Sequence, residues 1–283
     1  MGTNCEGCYF KVRGIMTKVS VLMPIYNGER FLQLAIQSVL NQTYSNFELL
    51  IYNDCSIDNS LQIVKSFNDD RIKIFSFKEN NGIVYSLNFL LKKAKGGFIA
   101  RIDADDIWYK DKLEKQLAAT NGKNENVFIA CFARLIEDKG EPFPTKFKQY
   151  SDFNDIKKYL PNSNFIIHSS VLISKDIFEE VGKYRDKYLH TEDYDLWLRI
   201  LSKGIKIINL PEVLLDYRVS VYSVNFRFRK VQSKNVIRLK FNYWRRNGFK
   251  FFYLIELRKD FYYWSFPYWI LRLKLKLINK YQP

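Results

Sequence analysis

The sequence predicts an α/β protein with a mostly parallel central sheet and helices on both of its faces. Three observations carry that expectation. Apolar runs and amphipathic stretches alternate from residue 18 to residue 102. The runs lie too close together for anything but compact crossovers, which make neighbouring strands parallel. Polar and acidic residues gather in the loops that follow the runs, where open parallel sheets hold ligands.

Residues 18–26 (KVSVLMPIY) read as a buried strand, ended by Asn27-Gly28. Residues 29–41 place apolar side chains at 31, 32, 35, 36, 39 and 40, one helical face. Residues 47–52 (FELLIY) are a second strand. Asp54 to Asp58 form a polar turn, in which Ser56 or Asp58 caps a helix running through Phe67. Residues 71–77 (RIKIFSF) are a third strand, and Asn80-Asn81-Gly82 turns the chain into a helix of about three turns that Gly96-Gly97 ends. Residues 98–102 (FIARI) are the fourth strand. Beyond residue 120 the alternation loosens, with strands expected near 126–134 and 165–173, a helix at 192–202 and a short strand at 205–209.

The chain has 283 residues, 47% apolar and 27% charged, which excludes wholesale disorder. No uncharged apolar window reaches the length of a spanning helix, and residues 1–16 lack a signal-peptide core, so a cytoplasmic protein is expected. Residues 1–16 are expected to be a disordered, dispensable leader. Cys5 and Cys8 form a C-x-x-C, but only two histidines exist, so free thiols are expected rather than zinc. The formal charge of +15 is unevenly placed. Residues 220–283 hold 15 Lys+Arg against 2 Asp+Glu, leaving 30 against 28 for residues 1–219. The same tail carries 18 of the 47 aromatic residues.

Asp103, Asp105 and Asp106 follow the fourth strand directly in RIDADDIW. A solvated acidic turn is one reading. Position favours another, because the strand end aims these groups at a crevice. All-oxygen ligands suit a hard divalent ion, Mn²⁺ or Mg²⁺, and such an ion binds substrate phosphates and acts as Lewis acid for a departing phosphate. Neither a P-loop nor a G-x-G-x-x-G fingerprint is present, so aromatic and carboxylate groups are expected to hold the nucleotide.

Five segments occur in order: VSVLMPIYNGERFL, IYNDCSID, NNGIVYSLN, RIDADDIWYKDKLEKQ and HTEDYDLWLRI. Together they resemble family 2 glycosyltransferases with the GT-A fold, over residues 17–220. The resemblance implies a UDP-sugar donor. Pro24, Tyr26 and Glu29 would line the nucleoside pocket, with Tyr26 against the uracil and Asp54 accepting from the base. The Gly82 loop would approach the nucleotide closely. Asp103 and Asp105 would match the D-x-D motif, one near the ribose and one on the metal, with Asp106 bracing the loop. Arg101 precedes the motif, as in a similar subgroup of bacterial polysaccharide enzymes. Two departures stand out: Asn53 replaces an Asp, and Cys55 replaces a Gly, so that turn is expected not to take a positive φ freely.

Glu192 and Asp193 open an amphipathic helix, where acidic residues suit the helix dipole. The resemblance implies that Asp193 is the general base of an inverting displacement and that Glu192 holds the acceptor. Asp195 reads as structural. His168, after an apolar run, is either a satisfied core residue or, by the resemblance, a group near the diphosphate. Arg218 is either an exposed basic residue or a group approaching the diphosphate.

In the tail, Trp244-Arg245-Arg246 is not the Q-x-x-R-W of processive synthases, so one sugar per encounter is expected. The basic–aromatic interleaving suits nucleic acid, an anionic bilayer surface, or helices packed on the body with a solvated basic face. With a sugar transferase as the body, a lipid-linked saccharide acceptor and an anionic membrane surface are favoured, and nucleic acid is not. The chain thus reads as a leader (1–16), a GT-A catalytic domain (17–220) and a basic aromatic helical tail (221–283). The expected function is transfer of a hexose in capsule, O-antigen or lipooligosaccharide synthesis at the inner face of the membrane. The alternatives are a sugar-1-phosphate nucleotidyltransferase, which lacks its Gly-rich basic first loop here, and a non-catalytic basic membrane- or RNA-binding module.

Overall fold

A computed structural model describes residues 18–143, 147–219, 228–248 and 257–258. The leader, with Cys5 and Cys8, and most of the expected tail lie outside the described residues. The first half follows the predicted order: β1 (Val19–Ile25), α1 (Glu29–Leu40), β2 (Phe47–Asn53), α2 (Ser60–Lys65), β3 (Ile72–Ser76), α3 (Ile83–Lys93) and β4 (Phe98–Arg101). Then come β5 (Ile107–Trp108), α4 (Lys112–Ala118), β6 (Phe128–Ile136), α5 (Phe153–Tyr159), β7 (Leu172–Ser174), α6 (Lys175–Glu180), α7 (Glu192–Ser202), β8 (Ile207–Arg218) and α8 (Arg229–Asn247).

The eight strands form one sheet in the order β3-β2-β1-β4-β7-β6-β8-β5. The β3-β2-β1-β4 half is parallel throughout. β7 lies antiparallel to both β4 and β6, β8 runs parallel to β6, and β5 pairs antiparallel with β8. The mixed half explains why the alternation loosens after residue 120, because antiparallel neighbours need no helical crossover.

Side chains of β1 and β2 alternate between two cores. Leu22, Leu50 and Tyr52 join α3 and α7 on one face, through Leu87, Leu90, Trp197 and Ile200. Val21, Met23, Leu49 and Ile51 join α1 and α4 on the other, through Leu32, Ile36, Val39 and Leu113. Burial on both faces is why these strands read as continuous apolar runs. Pro24, which lacks an N–H, lies beyond the last residue of β1 paired with β4, Leu22.

Three elements differ from expectation. β8 runs for 12 residues through Pro211, well beyond the short strand expected at 205–209, and its pairing with β6 shifts register around Phe132. Only Leu172–Ser174 of the strand expected at 165–173 pairs, because His168–Ser170 forms a 3-10 turn. α2 stops at Lys65, and Asp58 accepts the Ser60 N–H at 3.0 Å. α8 packs on the catalytic body: Leu239 and Trp244 are buried, and Asn235 Nδ2 donates to the Leu189 carbonyl at 3.0 Å. Within the expected tail, the described residues 228–248 therefore hold a helix docked on the body.

Candidate functional site

β1 is the topological switch point. The chain passes from β1 to β2 and β3 on one side, then returns to add β4 on the other. The loops leaving β1 and β4 start there, at the carboxyl ends of the strands, where open α/β sheets bind ligands in a crevice. Both loops carry expected site residues. An added Cβ on Gly28 would come within 3.1 Å of Ala104 Cβ, so glycine lets the first loop approach the D-x-D turn.

The nucleoside side of the crevice is built from interlocked loops. Asn27 and Ser56 bond through the Asn27 N–H and Ser56 Oγ at 3.1 Å, and Glu29 N–H donates to Asp58 at 3.0 Å. Glu29 Oε2 in turn accepts from the backbone and side chain of Asn59. Tyr26 is 53% exposed at the mouth, free to meet a planar ligand. Asp54 is buried and accepts the N–H groups of Asn81 and Gly82 at 2.7 and 2.8 Å. It therefore braces the third loop. Gly82 takes φ +82°, which requires glycine, and no protein atom lies within 4 Å of its missing Cβ. Cys55 does take the left-handed conformation, φ +62°, against expectation. Its Sγ bonds to the Lys78 carbonyl at 3.1 Å, so the surroundings impose the strained turn.

The acidic turn holds one oxygen from each of Asp103, Asp105 and Asp106 within 4.8 Å of one another. Burial, and then the neighbouring Asp103, push Asp105 up to about 7. Burial and the other two carboxylates push Asp106 well above its usual range. Asp106 is fully buried, accepts the Arg218 N–H at 3.0 Å and leaves Oδ2 without a partner. Arg101 forms a two-pronged ion pair with Asp103. Three crowded oxygen-only donors, two of them (Asp103 and Asp105) partly exposed, fit a hard divalent cation. Asp106 faces inward and braces the turn.

Across the crevice stands the N-terminus of α7. Burial, followed by the charge of Asp193, pushes Glu192 up to about 7, and its buried Oε2 has no partner. Burial also raises Asp193, against its bonds from the Tyr194 N–H (2.6 Å) and Asn164 Nδ2 (3.0 Å). Arg101 and Asp103 act electrostatically on both carboxylates, so the acidic turn lies within electrostatic reach of the start of α7. Asp195 points away and pairs with Arg199 at 2.9 Å. His168 is buried beneath the site, with Nε2 2.8 Å from Tyr184 Oη and its ring edge-on to Trp197. Burial and Arg101 push it well below its usual range, so it is neutral. Arg218 is buried, and its side chain donates to the backbone carbonyls of Asp105, Glu137 and Asp138.

Two site residues escape sequence reasoning. Ser169 Oγ accepts the Asp103 N–H at 3.0 Å and meets Arg101 Nη1 at 3.3 Å, fixing the pair from below. Its place beside His168 was the available signal. Asn164 bonds Asp193 from a segment with no readable pattern.

Known proteins share this architecture. The solved S. aureus TarS 1-349 in complex with UDP superposes with a TM-score of 0.62 at 20% identity, covering 80% of this chain and 65% of that one. The mannosyltransferase PcManGT from Pyrobaculum calidifontis, in complex with GDP-Man and Mn²⁺, gives 0.62 at 17% identity, covering 89% and 70%. The architecture is therefore the GT-A fold. In sequence, the O-antigen biosynthesis glycosyltransferase WbnJ of Escherichia coli is 36% identical over 211 residues, 72% of this chain and 81% of WbnJ. Another E. coli protein, the UDP-Glc:alpha-D-GlcNAc-diphosphoundecaprenol beta-1,3-glucosyltransferase WfgD, is 35% identical over 208 residues, 73% of this chain and 79% of WfgD. The sequence model for glycosyl transferase family 2 matches residues 20–182, more than half of the chain, and the protein belongs to that family.

Proposed function

We propose that the protein transfers one hexose, with inversion, from a UDP-sugar to a lipid-linked saccharide in bacterial surface-polysaccharide synthesis. The observation that carries this reading is the juxtaposition of the D-x-D turn and the α7 carboxylates across the β1/β4 crevice. Tyr26 stacks on the uracil at the mouth, while Pro24, Glu29 and Asp54 shape the pocket and Gly82 lets the backbone come close. Asp103 and Asp105 hold Mn²⁺ or Mg²⁺, with Arg101 orienting Asp103. A divalent ion bound there neutralises charge on the departing diphosphate.

Asp193 takes the proton of an acceptor hydroxyl while that oxygen bonds to the anomeric carbon and the bond to the diphosphate breaks. A single displacement inverts the anomeric centre. Asn164 keeps one carboxylate oxygen of Asp193 in place, and Glu192 accepts a hydrogen bond from the acceptor. His168, being neutral, supports the diphosphate end without adding charge. WfgD's name supports a UDP donor and a diphosphoundecaprenol-linked acceptor. No helix among the described residues is long and apolar enough to cross a membrane. The basic aromatic tail supplies charge for an anionic, cytoplasm-facing membrane surface.

The test is a screen of UDP-, GDP- and TDP-sugars with Mn²⁺ for a raised melting midpoint, since a ligand that binds only the folded state raises it. A UDP-sugar should give the largest shift, and Asp105→Asn should abolish the metal-dependent part. A shift that keeps its full Mn²⁺-loaded size in excess chelator, or in Asp105→Asn, would refute the metal assignment.

A further inference from the structure

β8 ends on Arg218, a side chain 4% exposed whose bonds all run to the framework around the D-x-D turn. Its backbone N–H donates to Asp106 Oδ1 at 3.0 Å, and its Nε donates to the Asp105 carbonyl at 2.9 Å. Its Nη1 donates to the Glu137 and Asp138 carbonyls at 2.8 and 2.9 Å. The guanidinium carbon lies 4.0 Å from the ring centroid of Phe31, in the first turn of α1. One residue thus ties together the end of β8, the acidic turn, the turn after β6 and the helix that follows the first pocket loop.

The bond to the Asp105 carbonyl fixes the peptide plane between Asp105 and Asp106. Because a peptide group is rigid, rotating that plane re-aims both flanking carboxylates. The bond from the Arg218 N–H then holds Asp106 inward, so the outward Asp105 and the inward Asp106 are set by one residue. Three donations from a planar fork are geometry that only arginine supplies; a lysine keeps the charge but not the fork.

We infer that Arg218 is a positioning residue that pre-forms the metal-binding turn and does not bind the donor's diphosphate. The inference rests on Asp103 and Asp105 being the metal ligands. Residues that orient ligands from behind typically change metal affinity by about 10–100-fold when replaced.

The test uses the full chain as wild type, Arg218→Lys and Arg218→Ala, with Asp105→Asn as control. Mn²⁺ binding is followed by the electron paramagnetic resonance of the free ion at saturating UDP. UDP and UMP binding are measured separately by calorimetry with chelator present. Both Arg218 variants should weaken Mn²⁺ binding by about tenfold or more. Their metal-free preference for UDP over UMP should stay within about twofold of wild type, because no diphosphate contact is lost. Unchanged Mn²⁺ affinity, or a collapse of the UDP-over-UMP preference, overturns the assignment. If Arg218→Ala fails to fold, Arg218→Lys decides alone: a charge-only diphosphate contact predicts wild-type Mn²⁺ affinity there. Retained Mn²⁺ affinity in Asp105→Asn overturns the metal reading and this assignment with it, whereas retention in the Arg218 variants alone overturns only the latter.

Discussion

Asp193 and Cys55 show how a residue's neighbours set its chemistry. In Asp193→Asn the new Oδ1 can accept the Tyr194 N–H, and its Nδ2 can donate to Asn164 Oδ1 once that amide turns over, so the variant should fold and bind donor and metal near normally. Turnover should fall by about 10²–10⁴, the scale of a lost general base. Burial raises the wild-type carboxyl, so the acid limb of its pH–rate profile should lie above the ordinary carboxylate range. The base must be deprotonated, so the rate falls as pH drops through that limb, and the variant should lose the limb. A donor affinity that collapses together with turnover would make Asp193 a binding group. Cys55 sits at φ +62°, a conformation that strains any residue with a Cβ. Cys55→Gly should raise stability by about 0.5–1 kcal/mol in denaturant titration, with UDP affinity unchanged. A loss of stability would show that the Sγ bond to Lys78 outweighs the strain.

Among the elements, α7 gains its active geometry from α8. The segment before α7 contains His190 at φ +66°, its ring stacked on Phe228 at 4.2 Å. Gln232 Nε2 donates to the His190 carbonyl at 3.1 Å, one turn along α8 from the Asn235–Leu189 bond. The helix that follows carries Glu192 and Asp193, so the docked helix fixes where the segment with the proposed base begins. Trp244, 1% exposed, anchors α8. Trp244→Ala should cost about 3–5 kcal/mol of stability, the usual range for emptying an aromatic core site. Circular dichroism melts check this, and an unchanged midpoint would mean that α8 is only loosely attached. Below the melting range, UDP binding should persist, because the pocket loops contact α1, α2 and α3 instead.

At the scale of the whole molecule, the sheet is tied at the end opposite the site by one buried carboxylate. Glu48, 1% exposed, accepts from Ser20 Oγ (2.7 Å), Lys73 Nζ (2.7 Å) and the Lys95 N–H (2.8 Å), with Lys18 Nζ at 3.5 Å. Burial alone would raise this carboxyl, but these donors outweigh it and hold it at about 2, against 4.5 for an ordinary glutamate. A depressed folded value contributes stability above the unfolded value, and that contribution is lost as pH falls from about 4.5 towards 2. It is worth about 2–3 kcal/mol at neutral pH. Denaturation at pH 7 and pH 3 should show a larger acid loss in the wild type than in Glu48→Gln. Equal losses would place the acid sensitivity elsewhere.

By itself, the sequence determined the parallel half of the sheet, the switch-point loops and the acidic turn. These follow from local periodicity, and each element there is joined to the next by a short crossover. The D-x-D turn was legible because its three carboxylates are adjacent in the chain. Tertiary structure alone decided what surrounds them. Arg218 reaches the Asp105 carbonyl from 113 residues away, and Ser169 reaches the Asp103 N–H across 66. Nothing local to either residue announces such a partner. The length of β8 was also hidden: Pro211 breaks the strand pattern, and pairing with β6 resumes at Val213 across an irregularity that leaves Pro211 and Glu212 out of the ladder. Local propensity writes the elements, whereas burial and long-range hydrogen bonding decide which polar groups become a site.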